Sequence, residues 1–130
     1  MEIKKNRTTK IGIIGAGLIG KERLNAVDYL NKKGKDVELT SLYDPYLKNY
    51  HDIEQKYNIK YFKKLEDFWN TNLDWIFITV PHDDVITLVK ESLNRNYNVL
   101  VEKPLGRNLS EAEEIFKYVK KENQIRVGFN

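Results

Sequence analysis

The sequence contains no cysteine. Disulfides and thiolate-ligated metal sites are therefore excluded. It has two histidines, His51 and His82, too few for a metal centre without carboxylate help, and no metal site is expected. No apolar run exceeds about five residues, far short of the ~20 that cross a bilayer. The N-terminus lacks an apolar signal core. No internal repeat or low-complexity linker stands out. An excess of one charge sign is also missing. The 22 Lys and Arg against 19 Asp and Glu leave a net +3, and the two signs interleave. There is no long basic run of the kind that binds nucleic acid. A cytoplasmic, reducing location is the default expectation, with neither membrane nor nucleic acid as a partner.

What is present is a globular composition. The 130 residues are 41% hydrophobic and 32% charged. A chain of this size is one domain and can bury about two-thirds of its unfolded surface. Lys4, Lys5, Arg7 and Lys10 gather at the start. Residues 1–9 read as a flexible, solvated leader, and residues 10–130 as the folded domain.

From Lys10 onward, short apolar runs alternate with helical patterns. Lys10–Ile14 reads as a strand ending at Gly15. Leu18–Lys33 reads as a helix with Gly20, Leu24 and Val27 on one face and Gly34 as its C-terminal stop. Val37–Tyr43 is a second strand, stopped by Asp44-Pro45. A helix over Tyr46–Tyr57, a short strand over Ile59–Phe62 and a helical turn over Leu65–Trp69 follow. Asp74–Val80 is continuously apolar, as expected of a parallel strand buried on both faces. Asp83 or Asp84 is the expected cap of the next helix, which carries Val85, Leu88 and Val89 inward. Val99–Val101 is a further strand. Ser110-Glu-Ala-Glu113 reads as a capping box that opens a helix to about Glu122. Ile125–Phe129 is the last strand. Strand–helix alternation of this kind predicts an α/β fold: a Rossmann-type, doubly wound parallel sheet of about six strands with helices on both faces, in the order 3-2-1-4-5-6.

Gly15-Ala16-Gly17-Leu18-Ile19-Gly20 is a G-x-G-x-x-G loop placed between a strand and a helix. Gly15 permits the tight turn. Gly17 lets a pyrophosphate approach the backbone. Gly20 lets the helix pack close to the strand. The helix N-terminus offers free N–H groups and a positive dipole end to phosphate. An acid that holds the ribose is expected about twenty residues on. Glu38 lies 18 residues past Gly20 and Asp44 lies 24 past it. Asp44 is the better placed, because it ends the strand on the edge where open α/β sheets bind ligands. Its carboxylate can accept from ribose hydroxyls and repels a 2′-phosphate, which favours NAD over NADP. Lys48, close by, blurs that preference. Tyr43 and Tyr46 flank Asp44, and one of them could pack on the adenine. The remaining tyrosines read as core or surface filler, and Trp69 and Trp75 as core or interdomain packing.

Thr79-Val80-Pro81-His82 leaves the fourth strand and Glu102-Lys103-Pro104 leaves the fifth, both on that same edge. With Gly15–Gly20, Asp44-Pro45, Thr79-Val80-Pro81-His82-Asp83, Val101-Glu102-Lys103-Pro104-Leu105 and the terminal Val127-Gly128-Phe129-Asn130, the chain resembles the Gfo/Idh/MocA oxidoreductase family from Lys10 to its end. The resemblance implies that Gly15, Gly17, Leu18, Ile19 and Gly20 hold the pyrophosphate and Asp44 the adenosine ribose. It implies that Thr79, Pro81 and His82 line the wall near the nicotinamide ribose. It puts Glu102 on the nicotinamide side and Lys103, the one catalytic residue, at the reacting hydroxyl or carbonyl. An ammonium there would stabilise developing alkoxide charge. Many members carry a second histidine three residues after the position of His82, where this chain has Val85. The family's second, mostly β domain, which forms the substrate pocket and supplies the general acid/base, is not in this sequence. That domain also usually makes the family's oligomer.

Two readings of function follow. In the first, the chain is the cofactor domain of an NAD-dependent oxidoreductase that moves a hydride between nicotinamide and a carbinol carbon of a sugar, cyclitol or related polyol. Alone it would bind cofactor with little turnover. In the second, it is a stand-alone NAD(H)-binding sensor or regulatory module. A sensor has no use for a lysine at the position of Lys103, and a reading frame open beyond Asn130 would favour the enzyme.

Overall fold

The computed structural model describes residues 7–103 and 105–128. The elements run β1 Thr9–Ile14, α1 Leu18–Lys32, β2 Val37–Tyr43, α2 Tyr50–Tyr57, β3 Lys60–Phe62, α3 Leu65–Trp69, β4 Trp75–Ile78, α4 His82–Asn94, β5 Asn98–Val101, α5 Leu109–Phe116 and β6 Ile125–Val127. Six strands form one parallel sheet in the order β3-β2-β1-β4-β5-β6. The predicted strand order is the observed one. The order reverses between β1 and β4, so the switch point lies at the C-terminal ends of these two strands.

Alternation along each strand divides the core in two. Ile11 and Ile13 of β1 face α1 and α2, where Leu24, Val27, Ile53 and Tyr57 meet Leu39 and Leu42. Ile14 faces the other way, with Ile76 and Ile78 of β4 and Val99 and Val101 of β5, against Phe68, Val85, Leu88, Val89, Leu93 and Ile115. The inward face of α1 is Gly20, Leu24 and Val27, as the spacing predicts. Its end is a Schellman turn: Gly34 at φ 81° donates to Asn31 O and Lys35 donates to Leu30 O, each at 3.0 Å.

Several boundaries depart from expectation, each for a physical reason. β1 opens at Thr9, and Arg7 donates to Asp74, while residues 1–6 lie outside the described residues. α2 begins at Tyr50 rather than Tyr46, because Asp44 Oδ1 accepts from Tyr46 N–H at 2.8 Å and holds a turn there. β4 covers Trp75–Ile78 only: its partner β1 ends at Ile14, whose carbonyl takes Thr79 N–H as the last rung, and Val80 has no ladder to continue. Asp83 and Asp84 do not cap α4. Pro81 holds that position, and both acids sit in the first turn. The box that opens α5 is shifted by two residues. Asn108 accepts from Glu111 N–H at 3.0 Å, and Glu111 Oε1 accepts from Arg107 N–H at 2.8 Å. α5 stops at Phe116, well before Glu122. Beyond it the buried Gln124 accepts from Lys120 N–H at 2.7 Å and donates to Tyr97 O at 3.0 Å. Phe129, the expected end of β6, lies outside the described residues.

Phe68 is fully buried and packs against Tyr43, Phe62 and Trp69, with ring centroids 5.6–6.3 Å apart. Its ring also fills the space above Gly12, where a Cβ would stand 2.9 Å from Phe68 Cζ. Phe68→Ala should cost about 3–5 kcal/mol, measured by urea denaturation.

Candidate functional site

Four of the expected site residues share one structural position. Gly15, Asp44, Thr79 and Glu102 are each the first residue past β1, β2, β4 and β5. Because the sheet is parallel, all four lie on the same edge. They are brought together by topology, from positions 87 residues apart in the chain at most.

The glycine loop is built from close approaches. Gly15 has φ 106°, which only glycine adopts readily. A Cβ on Gly20 would lie 2.0 Å from Gly15 O and 3.0 Å from Thr79 Oγ1. α1 therefore begins directly on the end of β1. At Gly17 the opposite holds: a Cβ there would meet nothing within 4 Å. Gly17 is the N-cap of α1, makes no side-chain cap, and has no acid in the turn that follows. The other four helices each carry an acid in the first turn: Asp52, Glu66 and Asp67, Asp83 and Asp84, and Glu111. Among the described residues, α1 is the helix whose positive end faces open space without a carboxylate of its own. Leu18 is exposed and Ile19 half-buried in that first turn.

Asp44 is tied to the loop. Its Oδ2 accepts from Ala16 N–H and its Oδ1 from Tyr46 N–H, each at 2.8 Å. Each carboxylate oxygen retains a further acceptor direction. Tyr61 Oη donates to Asp44 O at 2.6 Å. Burial first, and then the charge of Asp44, pushes the Tyr43 and Tyr61 phenols above their ordinary value, so both stay neutral donors at pH 7. Beside Asp44 opens a cavity of about 570 Å³ lined by Pro45, Tyr46, Lys48, Tyr50, Tyr61 and Lys63, among others. Tyr50 and Tyr61 stack at 4.6 Å. Tyr46 is 86% exposed there, while Tyr43 turns inward onto Phe68.

Thr79 is turned onto the glycine loop. Its N–H donates to Ile14 O at 2.9 Å, and its hydroxyl lies 2.9 Å from Gly15 O and 3.1 Å from Ile14 O, donating to one at a time. Pro81 is exposed, and the backbone of His82 opens α4. The side chain of His82 and all of Pro104 lie outside what the structure describes. Val85, where many family members carry histidine, is buried in the core. Lys103 is exposed at a bend two residues past β5.

Glu102 pairs with Arg23 of α1, not with its neighbour Lys103. The sequence reading missed Arg23, and Tyr50, Tyr61 and Lys63 of the cavity wall as well. Arg23 had a legible signal. It lies three residues after Gly20 and next to Leu24, a charge on the border of the buried face and close to the loop.

The two glycines separate packing from access. Gly20→Ala should destabilise the domain by about 2 kcal/mol or more, because a backbone oxygen blocks the new methyl, against a helix-propensity gain of about 1 kcal/mol. Gly17→Ala, which adds a methyl in open space but replaces an N-cap glycine, should cost about 1 kcal/mol or less. Thermal melts of both variants check this.

A sequence model described as an oxidoreductase family with an NAD-binding Rossmann fold, Gfo/Idh/MocA, matches residues 9–129. No curated protein matches the chain. Among solved structures, scyllo-inositol dehydrogenase from Lactobacillus casei, with bound NAD(H) and scyllo-inositol, superposes with a TM-score of 0.79 at 21% identity, over 94% of this chain and 36% of its own. The WlbA dehydrogenase from Bordetella pertussis, in complex with NADH and UDP-GlcNAcA, gives 0.77 at 20%, over 89% and 34%. Biliverdin reductase from Synechocystis, with biliverdin and NADP+, gives 0.77 at 14%, over 92% and 37%. At these identities the likeness concerns the fold, and the chain spans about a third of the length of each. With the family model matched over residues 9–129 and a Rossmann strand order in place, the chain belongs to the Gfo/Idh/MocA oxidoreductase family as its NAD-binding Rossmann domain.

Proposed function

We propose that residues 10–130 form the dinucleotide-binding half of an NAD-dependent dehydrogenase. The observation that carries this is the open, acid-free N-terminus of α1 at Gly17, with Asp44 held beside it by Ala16 N–H. Gly15, Gly17, Leu18, Ile19 and Gly20 would hold the pyrophosphate through backbone N–H groups and the helix dipole. Asp44 would accept from the adenosine ribose hydroxyls with the lone pairs left free by Ala16 and Tyr46. The adenine would enter the tyrosine-lined cavity next to it.

The other half of the dinucleotide would then cross β1 toward the ends of β4 and β5. Thr79, Pro81 and His82 would line its ribose side, and Glu102 the nicotinamide side. The bound cofactor supplies the hydride acceptor or donor. Lys103 would lie at the substrate oxygen, where an ammonium stabilises alkoxide character. The substrate class is a sugar, cyclitol or related polyol, in keeping with inositol and a nucleotide sugar bound by structural relatives. A further domain of the parent protein would complete the pocket, supply the proton acceptor and make its oligomer. This chain alone would bind cofactor with little turnover, since positioning of both reactants is a large part of rate enhancement.

NAD is the expected cofactor, because a 2′-phosphate would face the Asp44 carboxylate at short range. Calorimetric titration should show NADH binding roughly tenfold tighter than NADPH, about 1.4 kcal/mol. In Asp44→Ala that preference should shrink to within about threefold. Equal affinity of the unmodified chain for both cofactors would remove Asp44 from the ribose site.

A further inference from the structure

On the side of β1 away from Asp44, the sheet edge carries an ion pair that joins two elements distant in sequence. Arg23 stands in the second turn of α1, and Glu102 is the first residue past β5. The guanidinium donates through Nε to Glu102 Oε1 at 2.6 Å, and its Nη2 lies 2.6 Å from the same oxygen in an ion pair. The side chains are 27% and 20% exposed. Partial burial weakens screening by water and salt, so these charges act over a longer range than those of a surface pair. Glu102 is also confined on its other side. A Cβ on Gly128, just past β6, would stand 2.8 Å from Glu102 Oε2. The carboxylate is thus fixed between α1 and the end of β6.

What these charges would face follows from the dinucleotide reading, on which this inference rests. With the pyrophosphate on α1 and the adenosine at the end of β2, the nicotinamide half falls over the ends of β4 and β5. Glu102 leaves β5 at that place. A nicotinamide ring is positively charged when oxidised and neutral when reduced. A carboxylate beside it favours the oxidised form, and a guanidinium bound to that carboxylate cancels the bias.

We propose that Arg23 is a positioning residue that, through its ion pair with Glu102, sets the relative affinity of the site for oxidised and reduced dinucleotide. It compensates the Glu102 charge while holding the carboxylate in place. Removing Arg23 exposes the negative charge to the ring, and removing the Glu102 charge exposes the positive one. The two changes act with opposite sign. Lys103 remains in every variant and cancels from the comparison.

The test is calorimetric titration of the full chain with NAD+ and with NADH at low ionic strength, for the unmodified protein, Arg23→Gln, Glu102→Gln, the double variant and Arg23→Lys. The measured quantity is the ratio of the two dissociation constants. Arg23→Gln should shift it toward NAD+ by about threefold or more, and Glu102→Gln toward NADH by a similar factor. The double variant, neutral at both positions, should return to within about twofold of the unmodified chain, as should Arg23→Lys. A merely structural pair would change both affinities together and leave the ratio fixed, which would overturn the proposal. Shifts of the same sign in the two single variants would overturn it too. If Arg23→Gln melts early by circular dichroism, the Glu102→Gln shift alone decides the matter. Failure of the unmodified chain to bind either cofactor would instead refute the dinucleotide reading, and the inference with it.

Discussion

No atom larger than hydrogen fits on Gly20. The carbonyl oxygen of Gly15 occupies the place where a Cβ would stand, 2.0 Å away, and the Thr79 hydroxyl closes the remaining space. This contact fixes the first turn of α1 against the end of β1. The free N–H groups of the helix then open at the switch point between β1 and β4, the place where a parallel sheet of this order leaves a crevice. At Gly17, three residues earlier, a Cβ would meet nothing within 4 Å. The same short loop thus contains one position closed by backbone and one position open to a ligand.

Charge around that edge is distributed unevenly. α1 carries no acid in its first turn, although the other helices do. The carboxylates that approach it come from the neighbouring strand ends, and each is already engaged. Asp44 holds Ala16 N–H and Tyr46 N–H, and Glu102 holds the guanidinium of Arg23. Both acids are therefore held in defined orientations. Each Asp44 oxygen keeps a further acceptor direction, and Glu102 has its charge compensated by Arg23. Tyr61 secures the backbone of Asp44 from the three-residue strand β3.

Most of this was legible where local pattern and topology agree. The alternation of apolar runs with 3.6-residue periods gave six strands, and the apolar run Asp74–Val80 marked the fourth, in which Ile76 and Ile78 are buried and Trp75 and Phe77 half-buried. The glycine loop and Asp44 were placed by their positions at strand ends. Boundaries fared worse, because competing partners decide them. Asn108-x-x-Glu111 and Ser110-x-x-Glu113 are the same kind of pattern two residues apart, and Asn108 wins by reaching Glu111 N–H first in the chain. The end of α5 depends on Gln124, whose buried amide takes Lys120 N–H and reaches Tyr97 across the fold. The Arg23–Glu102 pair spans 79 residues. The border position of Arg23 is legible locally, but nothing local names a partner so far along the chain.

The proposed dinucleotide site begins at the first turn of α1. The most direct measurement is an NMR titration of the 15N-labelled chain with NADH, following the backbone amides residue by residue. Saturable shifts are expected at Gly15–Gly20 and around Asp44–Tyr46, with the amides at the opposite end of the sheet, near Gly34 and Asn58, unmoved. Saturable shifts centred elsewhere, or none in the glycine loop at millimolar NADH, would contradict it.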